Sequence, residues 1–428
     1  MYSAYLCAMK EVNQRYKTGN QFYLILILGL LTSIGPLSID MYLPAFPSIA
    51  KNLNTSVSNV MLSLSSFFVG ISIGQLLYGP LLERFGRKTP LYFGLSLYAI
   101  SAIACASATS VETLIIFRFF QALGGCVGMV ASRAMVRDLF DVKDNAKVFS
   151  TLMLVVAVSP IIAPTLGGYI TTALGWRYIF IMLIIVIACI IAGIYFLLPE
   201  SKKPDPNYSL KPSNILKGFA VIIKEPQFAV YTFTGAVAYA GLYAYISGSP
   251  HVFMEVFKVS EQHFGWIFAL VAGGLITASQ FNTQLLKKFS SEQIIKIALT
   301  AQGIVGIVLV ATSIFGYSEL YSTIVLVLLF LCCQGFLFPN ASALSMAPFA
   351  SNAGNASALM GFIQMSVGAF MSAMVSVFNN PTTLPMTGVM AFCTLSASLI
   401  FYIGRKVIVK KASIELVEEE EVEMINTL

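Results

Sequence analysis

Residues Val57–Lys88 read VSNVMLSLSSFFVGISIGQLLYGPLLERFGRK. From Val57 to Tyr78 the stretch carries no charged side chain, and it is about as long as a helix must be to cross a hydrocarbon core about 30 Å thick. Arg84, Arg87 and Lys88 follow at once. Cationic loops collect on the inner side of a membrane, so this one segment predicts both a spanning helix and the side on which it ends.

The same alternation runs outward along the whole chain. Of 428 residues, 57% are hydrophobic and 11% charged, whereas an ordinary soluble domain has roughly a quarter charged. Runs and breaks place spanning helices near Leu24–Phe46, Val57–Tyr78, Pro90–Ala108, Val111–Val136, Val148–Leu174 and Tyr178–Leu198. A second set lies near Phe228–Ser249, Phe264–Leu286, Ile294–Phe315, Leu320–Ala343, Ala356–Phe378 and Met386–Ile403. The expected fold class is therefore all-α integral membrane, with twelve transmembrane helices in two pseudo-symmetric six-helix bundles. The first run is too long for a cleaved signal peptide and lacks a small-residue cleavage site, so it is expected to be retained.

With both termini on the inner side, 22 of the 26 Lys and Arg residues fall in inner segments. Lys51, Arg177 and Lys258 fall outside, and only Arg118 is left within a helix. This topology predicts a multi-pass protein of the bacterial inner membrane, with its partners a lipid bilayer and a small-molecule substrate. The basic residues do not pool as a nucleic-acid partner requires. Six of the seven cysteines lie in apolar runs, where they act as small hydrophobes and imply no disulfide framework. A monomer is expected.

The longest polar interruption divides the chain. The expected units are an N-terminal bundle at 1–200, a linker at 201–225, a C-terminal bundle at 226–406 and an acidic tail at 407–428. Leu81-Leu82-Glu83-Arg84-Phe85 is repeated as Leu285-Leu286-Lys287-Lys288-Phe289. Parallel repeats of six helices are a known transporter plan, with the substrate site near the midplane.

A charge inside a bilayer costs at least about 2.5 kcal/mol and is a functional hypothesis by default. Asp40 and Arg118 each lie six residues from an outer helix end, about 9 Å deep at 1.5 Å per residue, and are expected to face one cavity. Asp40 is the candidate proton carrier. The plainer alternative is a pair that merely neutralises itself. The positions 204 residues further on, Ala244 and Ser322, are uncharged, so the second half is expected to supply an apolar and aromatic wall. Tyr42, Gln121, Tyr239, Tyr243 and Phe336 are the substrate-cavity candidates, with simple packing as the plainer reading of the second-half aromatics. His251 and His263 are expected in a solvated outer loop. The pairs Gly70 with Gly74 and Gly124 with Gly128 have the spacing of close helix contacts. Pro160 and Pro164 in one helix invite a bend.

Gly79-Pro-Leu-Leu-Glu-Arg-Phe-Gly-Arg-Lys88 resembles the signature loop of the major facilitator superfamily, with Glu83 where that family usually has aspartate. The resemblance implies a charge relay through Glu83, Arg84, Gly86, Arg87 and Lys88 to Asp138, helping to hold the outward-facing state. Arg118-Phe-Phe-Gln-Ala-Leu-Gly-Gly resembles the helix-four motif of the family. Ser159-Pro160-Ile-Ile-Ala-Pro164-Thr-Leu-Gly167-Gly168 resembles its antiporter motif, which implies export. Asp40-Met-Tyr-Leu-Pro, Gly74-Gln-Leu-Leu-Tyr-Gly-Pro and Trp176-Arg-Tyr-Ile-Phe resemble the Bcr/CflA multidrug exporters among the twelve-span drug:proton antiporters.

The function implied is proton-coupled export of small organic molecules by alternating access, with Arg118 tuning Asp40, protons as the coupling ion and no cofactor. A dedicated exporter of a siderophore or an amino-acid derivative stands as the alternative. No H-E-x-x-H, P-loop or intramembrane metal spacing points to an enzyme, and the tail after Ile403 is too short for a sensor's output domain.

Overall fold

The computed structural model describes residues 21–426 except 141, 207, 209, 350–352 and 379. The basic amino-terminal segment with Lys10, Arg15 and Lys17 lies outside the described residues, as do the side chains of the acidic run Glu418–Glu421 and Glu423. Among the described residues the regular structure is entirely helical.

In chain order, the helices are α1 (Gln21–Asp40), α2 (Phe46–Asn52), α3 (Val57–Phe85), α4 (Lys88–Ala106) and α5 (Val111–Leu139). Then come α6 (Val142–Leu174), α7 (Arg177–Phe196), α8 (Pro212–Ile223), α9 (Pro226–Pro250) and α10 (Glu261–Leu285). The last four are α11 (Ser291–Ile314), α12 (Leu320–Met346), α13 (Ala353–Val377) and α14 (Leu384–Asn426). Local chemistry explains several of the starts. Ser56 and Ser110 accept from the amides of Asn59 and Thr113, and Ser290 with Gln293 forms a reciprocal capping box, each satisfying donors that a first turn leaves free.

Eleven of these helices are long and apolar enough to cross a membrane. The twelfth segment expected to do so, α9, has 25 residues, but Tyr, Thr, Gly and Ser dilute its hydropathy. The reason is burial: nearly every residue from Thr234 to Pro250 is covered by protein, so this helix is selected for packing and not for lipid. Elsewhere the large exposed side chains are apolar, among them Ile100, Ile116, Ile185, Ile307 and Leu399, as lipid contact requires.

The chain forms two compact units that do not coincide with its two halves. The first comprises residues up to Leu210 together with Pro250–Ala272; the second comprises Lys211–Ser249 and the chain from Gly273 onward. Pro250–Ala272 joins the first unit because its helices pack there. A Cβ on Gly265 of α10 would lie 2.7 Å from Thr165 Cα, and one on Gly168 of α6 would lie 2.7 Å from Glu261 O.

In the first unit, glycines let α1, α3, α4 and α5 meet backbone to backbone. A Cβ on Gly70 would lie 2.4 Å from Phe119 O, on Gly124 2.5 Å from Gly94 O, and on Gly128 2.5 Å from Leu31 O. In the second unit, Tyr231, Val237 and Ala238 of α9 share a core with Ile295, Ala298 and Leu299 of α11, Leu337 and Ala341 of α12, and Ala397 and Phe401 of α14. Helix α8, in the expected linker, buries Phe219 and Ile222.

Three expectations are corrected. The first helix does not run unbroken to Phe46: α1 stops at Asp40, and a 3-10 turn at Leu43–Ala45, with Pro44 unable to donate, leads into α2. Helix α5 continues past the expected Val136 to Leu139, so Arg137 belongs to it rather than to an inner loop. His251 is buried in a π-helical turn, His251–Val256, where its Nδ1 lies 2.6 Å from Glu255 Oε2. His263 is exposed, as expected.

Gly70→Ala is expected to destabilise the protein by about 1–3 kcal/mol, because the added methyl forces α3 from α5. Thermal unfolding in detergent should show a lowered Tm, while Gly79→Ala, with nothing within 4 Å of its Cβ position, should not lower it.

Candidate functional site

Two polar centres lie in the first unit. The deeper one surrounds Arg118, which is 0% exposed. Its Nη1 donates to Gln121 Oε1 at 2.8 Å and its Nη2 to the Ser38 carbonyl at 3.1 Å. The guanidinium lies over the rings of Phe67, Tyr42 and Phe180, at 4.0, 4.5 and 6.0 Å from their centroids. Cation–π contacts of this kind gain strength when water is excluded. Tyr42 is held by a 2.8 Å bond between its hydroxyl and Ser63 Oγ, and the Ser38 and Tyr98 hydroxyls lie 2.5 Å apart.

Asp40 is 4% exposed and ends α1. Among the described residues its carboxylate makes no hydrogen bond and no ion pair, so the self-neutralising Asp40–Arg118 pair does not form. The two charges do not face one open cavity either; Arg118 is sealed behind aromatic rings. The turn just after Asp40 is pressed against the antiporter-like segment of α6. A Cβ on Gly167 would stand 2.1 Å from Met41 O, so only glycine allows α6 this close to the break in α1. Pro160 and Pro164 lie in the same helix, and the hydroxyls of Ser159 and Thr165 are buried without a hydrogen-bond partner among the described residues. Gly168, next along, meets the first residue of α10.

The second centre is the loop between α3 and α4. Arg87 is 2% exposed. Its Nε donates to Asp138 Oδ2 at 2.8 Å and its Nη1 to Glu83 Oε1 at 3.0 Å. Burial opposes the charged guanidinium, but the two carboxylates outweigh it and hold Arg87 above its ordinary pKa. Lys202 donates to the other Glu83 oxygen, and Ser201 Oγ donates to Asp138 Oδ2 at 2.9 Å. Gly86 has φ 79°, a left-handed conformation that glycine adopts without strain. The structure thus brings Glu83, Arg87 and Asp138 together. Arg84 and Lys88 go elsewhere, to the carbonyls of Tyr208 and Leu198.

Glu200 is the group that sequence reasoning missed here. Its two oxygens accept from the backbone amides of Arg87 at 2.7 Å and Lys88 at 3.0 Å, closing the amino-terminal end of α4 with negative charge, where a helix favours it. The available signal was its place: a carboxylate directly after the sixth span, on the same side as the basic loop.

In the second unit, Tyr239 meets Tyr243 edge to face and lies tilted over Phe338, with centroids 5.5 and 4.3 Å apart. Phe336 does not join them; it packs against the core shared by α9, α11, α12 and α14. Two buried amide pairs escaped notice. Gln302 Nε2 donates to Gln334 Oε1 at 2.7 Å, and Asn340 Nδ2 to Asn282 Oδ1 at 2.7 Å. Among the described residues no cluster of His, Cys, Asp and Glu has the arrangement of a metal site.

Comparison with known proteins gives this architecture a lineage. The family model for the Major Facilitator Superfamily matches residues 28–373. The chain is 33% identical to an uncharacterized MFS-type transporter, YdgK, of Bacillus subtilis, over 89% of this chain and 94% of that one. It is 31% identical to a bicyclomycin resistance protein homolog of Haemophilus influenzae, over 91% and 97%. Multidrug resistance protein D of Escherichia coli is 27% identical over 85% and 90%. Among solved structures, a D-xylose-proton symporter superposes with a TM-score of 0.70 at 16% identity, covering 90% of this chain and 98% of that one, a likeness of fold. With its apolar helices, its charged loop and a match across most of its length, the chain is a multi-pass membrane transporter belonging to the major facilitator superfamily.

Proposed function

We propose that the protein is a proton-coupled antiporter that exports small organic molecules, in the manner of a multidrug efflux pump, across a bacterial inner membrane with both termini inside. The observation that carries this reading is the buried Asp40 carboxylate, unpartnered at a break in α1 and packed beside the Gly167–Gly168 segment of α6. Among the described residues no cation pairs with this carboxylate to keep it ionised, so it is suited to take a proton from one side and release it to the other. The names of the Haemophilus and Escherichia relatives, bicyclomycin resistance protein homolog and multidrug resistance protein D, support drug-like cargo. The protein works as a monomer, needs no cofactor and catalyses no covalent step; the proton is the coupling ion.

Coupling requires the position next to Asp40 to differ between the two access states. Met41 and Gly167 are in backbone contact, so any bend of α6 at Pro160 and Pro164 moves the wall beside the carboxylate. Arg118 organises this region through the Ser38 carbonyl, two residues before Asp40; its role is positioning, not pairing. The loop at Glu83–Lys88 is the gate. Its ion pairs and the Glu200 cap join α3, α4, α5 and the segment after α7 into one body that must move together.

Asp40→Asn is expected to abolish proton-driven efflux into everted vesicles without lowering Tm. Undiminished efflux would remove Asp40 from the coupling step. Glu200→Ala is expected to cost about 0.5–2 kcal/mol, the usual range for a lost cap, and to speed amide hydrogen exchange at Arg87 and Lys88; unchanged exchange there would reject the capping role.

A further inference from the structure

Gly167 and Gly168 of α6 are each pressed by a neighbouring backbone. Met41, directly after Asp40, meets the first. The carbonyl of Glu261, the first residue of α10, meets the second, 2.7 Å from where a Cβ would stand. One turn on, Gly265 of α10 lies against Thr165 in the same way. Small residues are what let α6 and α10 come this near, and the Glu261 side chain is caught in the contact. It is half-buried, and its Oε2 lies 3.3 Å from Thr172 Oγ1 of α6.

That hydroxyl has one proton to give, and the Gly168 carbonyl takes it at 2.8 Å. An ionised Glu261, which can only accept, therefore loses water on packing and gains little from Thr172. A protonated Glu261 can donate to the free lone pair of Thr172 Oγ1. No cation offsets this. On the facing stretch of α6, residues 159–174, the sole titratable group is Tyr169, which is exposed. Before α10, His251 is bound to Glu255 and Lys258 is exposed; within it, His263 is exposed and bonded to Ser260. Across Gly167 stands Asp40. Among the described residues none of these forms an ion pair with Glu261.

We infer that Glu261 is a second protonatable residue of the transport cycle, taking a proton from the outer side as α10 closes on α6 and returning it when they part. A state that binds an extra proton is favoured as pH falls, so acid outside favours the closed contact. The proton leaves by the side it came from, so Glu261 sets the pH dependence of closure and adds nothing to the number of protons carried across. This rests on the alternating-access reading and the topology above.

The test places spin labels at two exposed positions, Leu174→Cys on α6 and Trp266→Cys on α10. The full-length protein is held in nanodiscs, with its accessible native cysteines replaced and with Asp40→Asn, which removes any contribution from Asp40. As the pH is lowered from about 8 to about 5, the short-distance population is expected to grow at least about threefold relative to the long one. With Glu261→Gln added, the ratio should stay near its acid value at every pH, since glutamine keeps a donor for Thr172; Glu261→Asp should restore a pH dependence. A dependence that survives Glu261→Gln belongs to another group, such as His251 or His263, and overturns the inference. Two populations that ignore pH with Glu261 in place also overturn it, while alternating access stands. A single distance under every condition sinks both. Export is read separately in everted vesicles of the wild type: distances that follow pH through Glu261 in a protein that exports nothing would remove the export reading and leave the role of Glu261 in place.

Discussion

A guanidinium stripped of water has to be paid back by its surroundings, and the interior of the first unit is arranged around doing so for Arg118. Its donors reach an amide and a main-chain carbonyl, and its faces meet three aromatic rings. These partners come from α1, α3, α5 and α7 and the turn after α1. Each has a second anchor or a buried position that limits its freedom: Tyr42 is tied to Ser63, and Gln121 is 0% exposed. Among the described residues no carboxylate takes part; the cation is stabilised by dipoles and ring quadrupoles, and its Nε is left without a partner. Asp40, two residues beyond the Ser38 whose carbonyl receives Arg118, takes no part in this arrangement among the described residues.

The charged loop works in the opposite way. There the carboxylates are present and saturated: Asp138 receives Arg87 and Ser201, Glu83 receives Arg87 and Lys202, and Glu200 receives two backbone amides. Glu83 and Asp138 keep partial contact with water while Arg87 is nearly sealed. Such a network is stiff but not deeply desolvated.

The second unit joins its buried helix faces through amides, its one ion pair among the described residues, Arg405–Glu292, being partly exposed. Where the first unit has the arginine box, α11 and α12 share the Gln302–Gln334 amide pair, and α10 and α12 share Asn282–Asn340. Amides cost less to bury than ions and still direct helix register through their hydrogen bonds.

Much of this was readable before folding. Apolar run length and the placement of Lys and Arg sufficed for the class and for most helix boundaries, because the bilayer imposes one length and one backbone solution on every span. Glu83, Arg87 and Asp138 were legible through their motif, and Gly70, Gly124 and Gly128 through spacing. The sequence could not say that Arg118 turns toward aromatic faces and a carbonyl instead of toward Asp40, since depth along a helix says nothing of rotation about it. Nor could it separate Phe336 from Phe338, two residues apart on different faces, or show that Glu200 folds back onto α4 from more than a hundred residues away. Composition and run length thus determined that this chain is a helical, multi-pass membrane protein with basic loops between its spans. Only the tertiary structure decided which charges meet, because partner choice depends on helix rotation and on glycine contacts of a few ångströms that no one-dimensional pattern records.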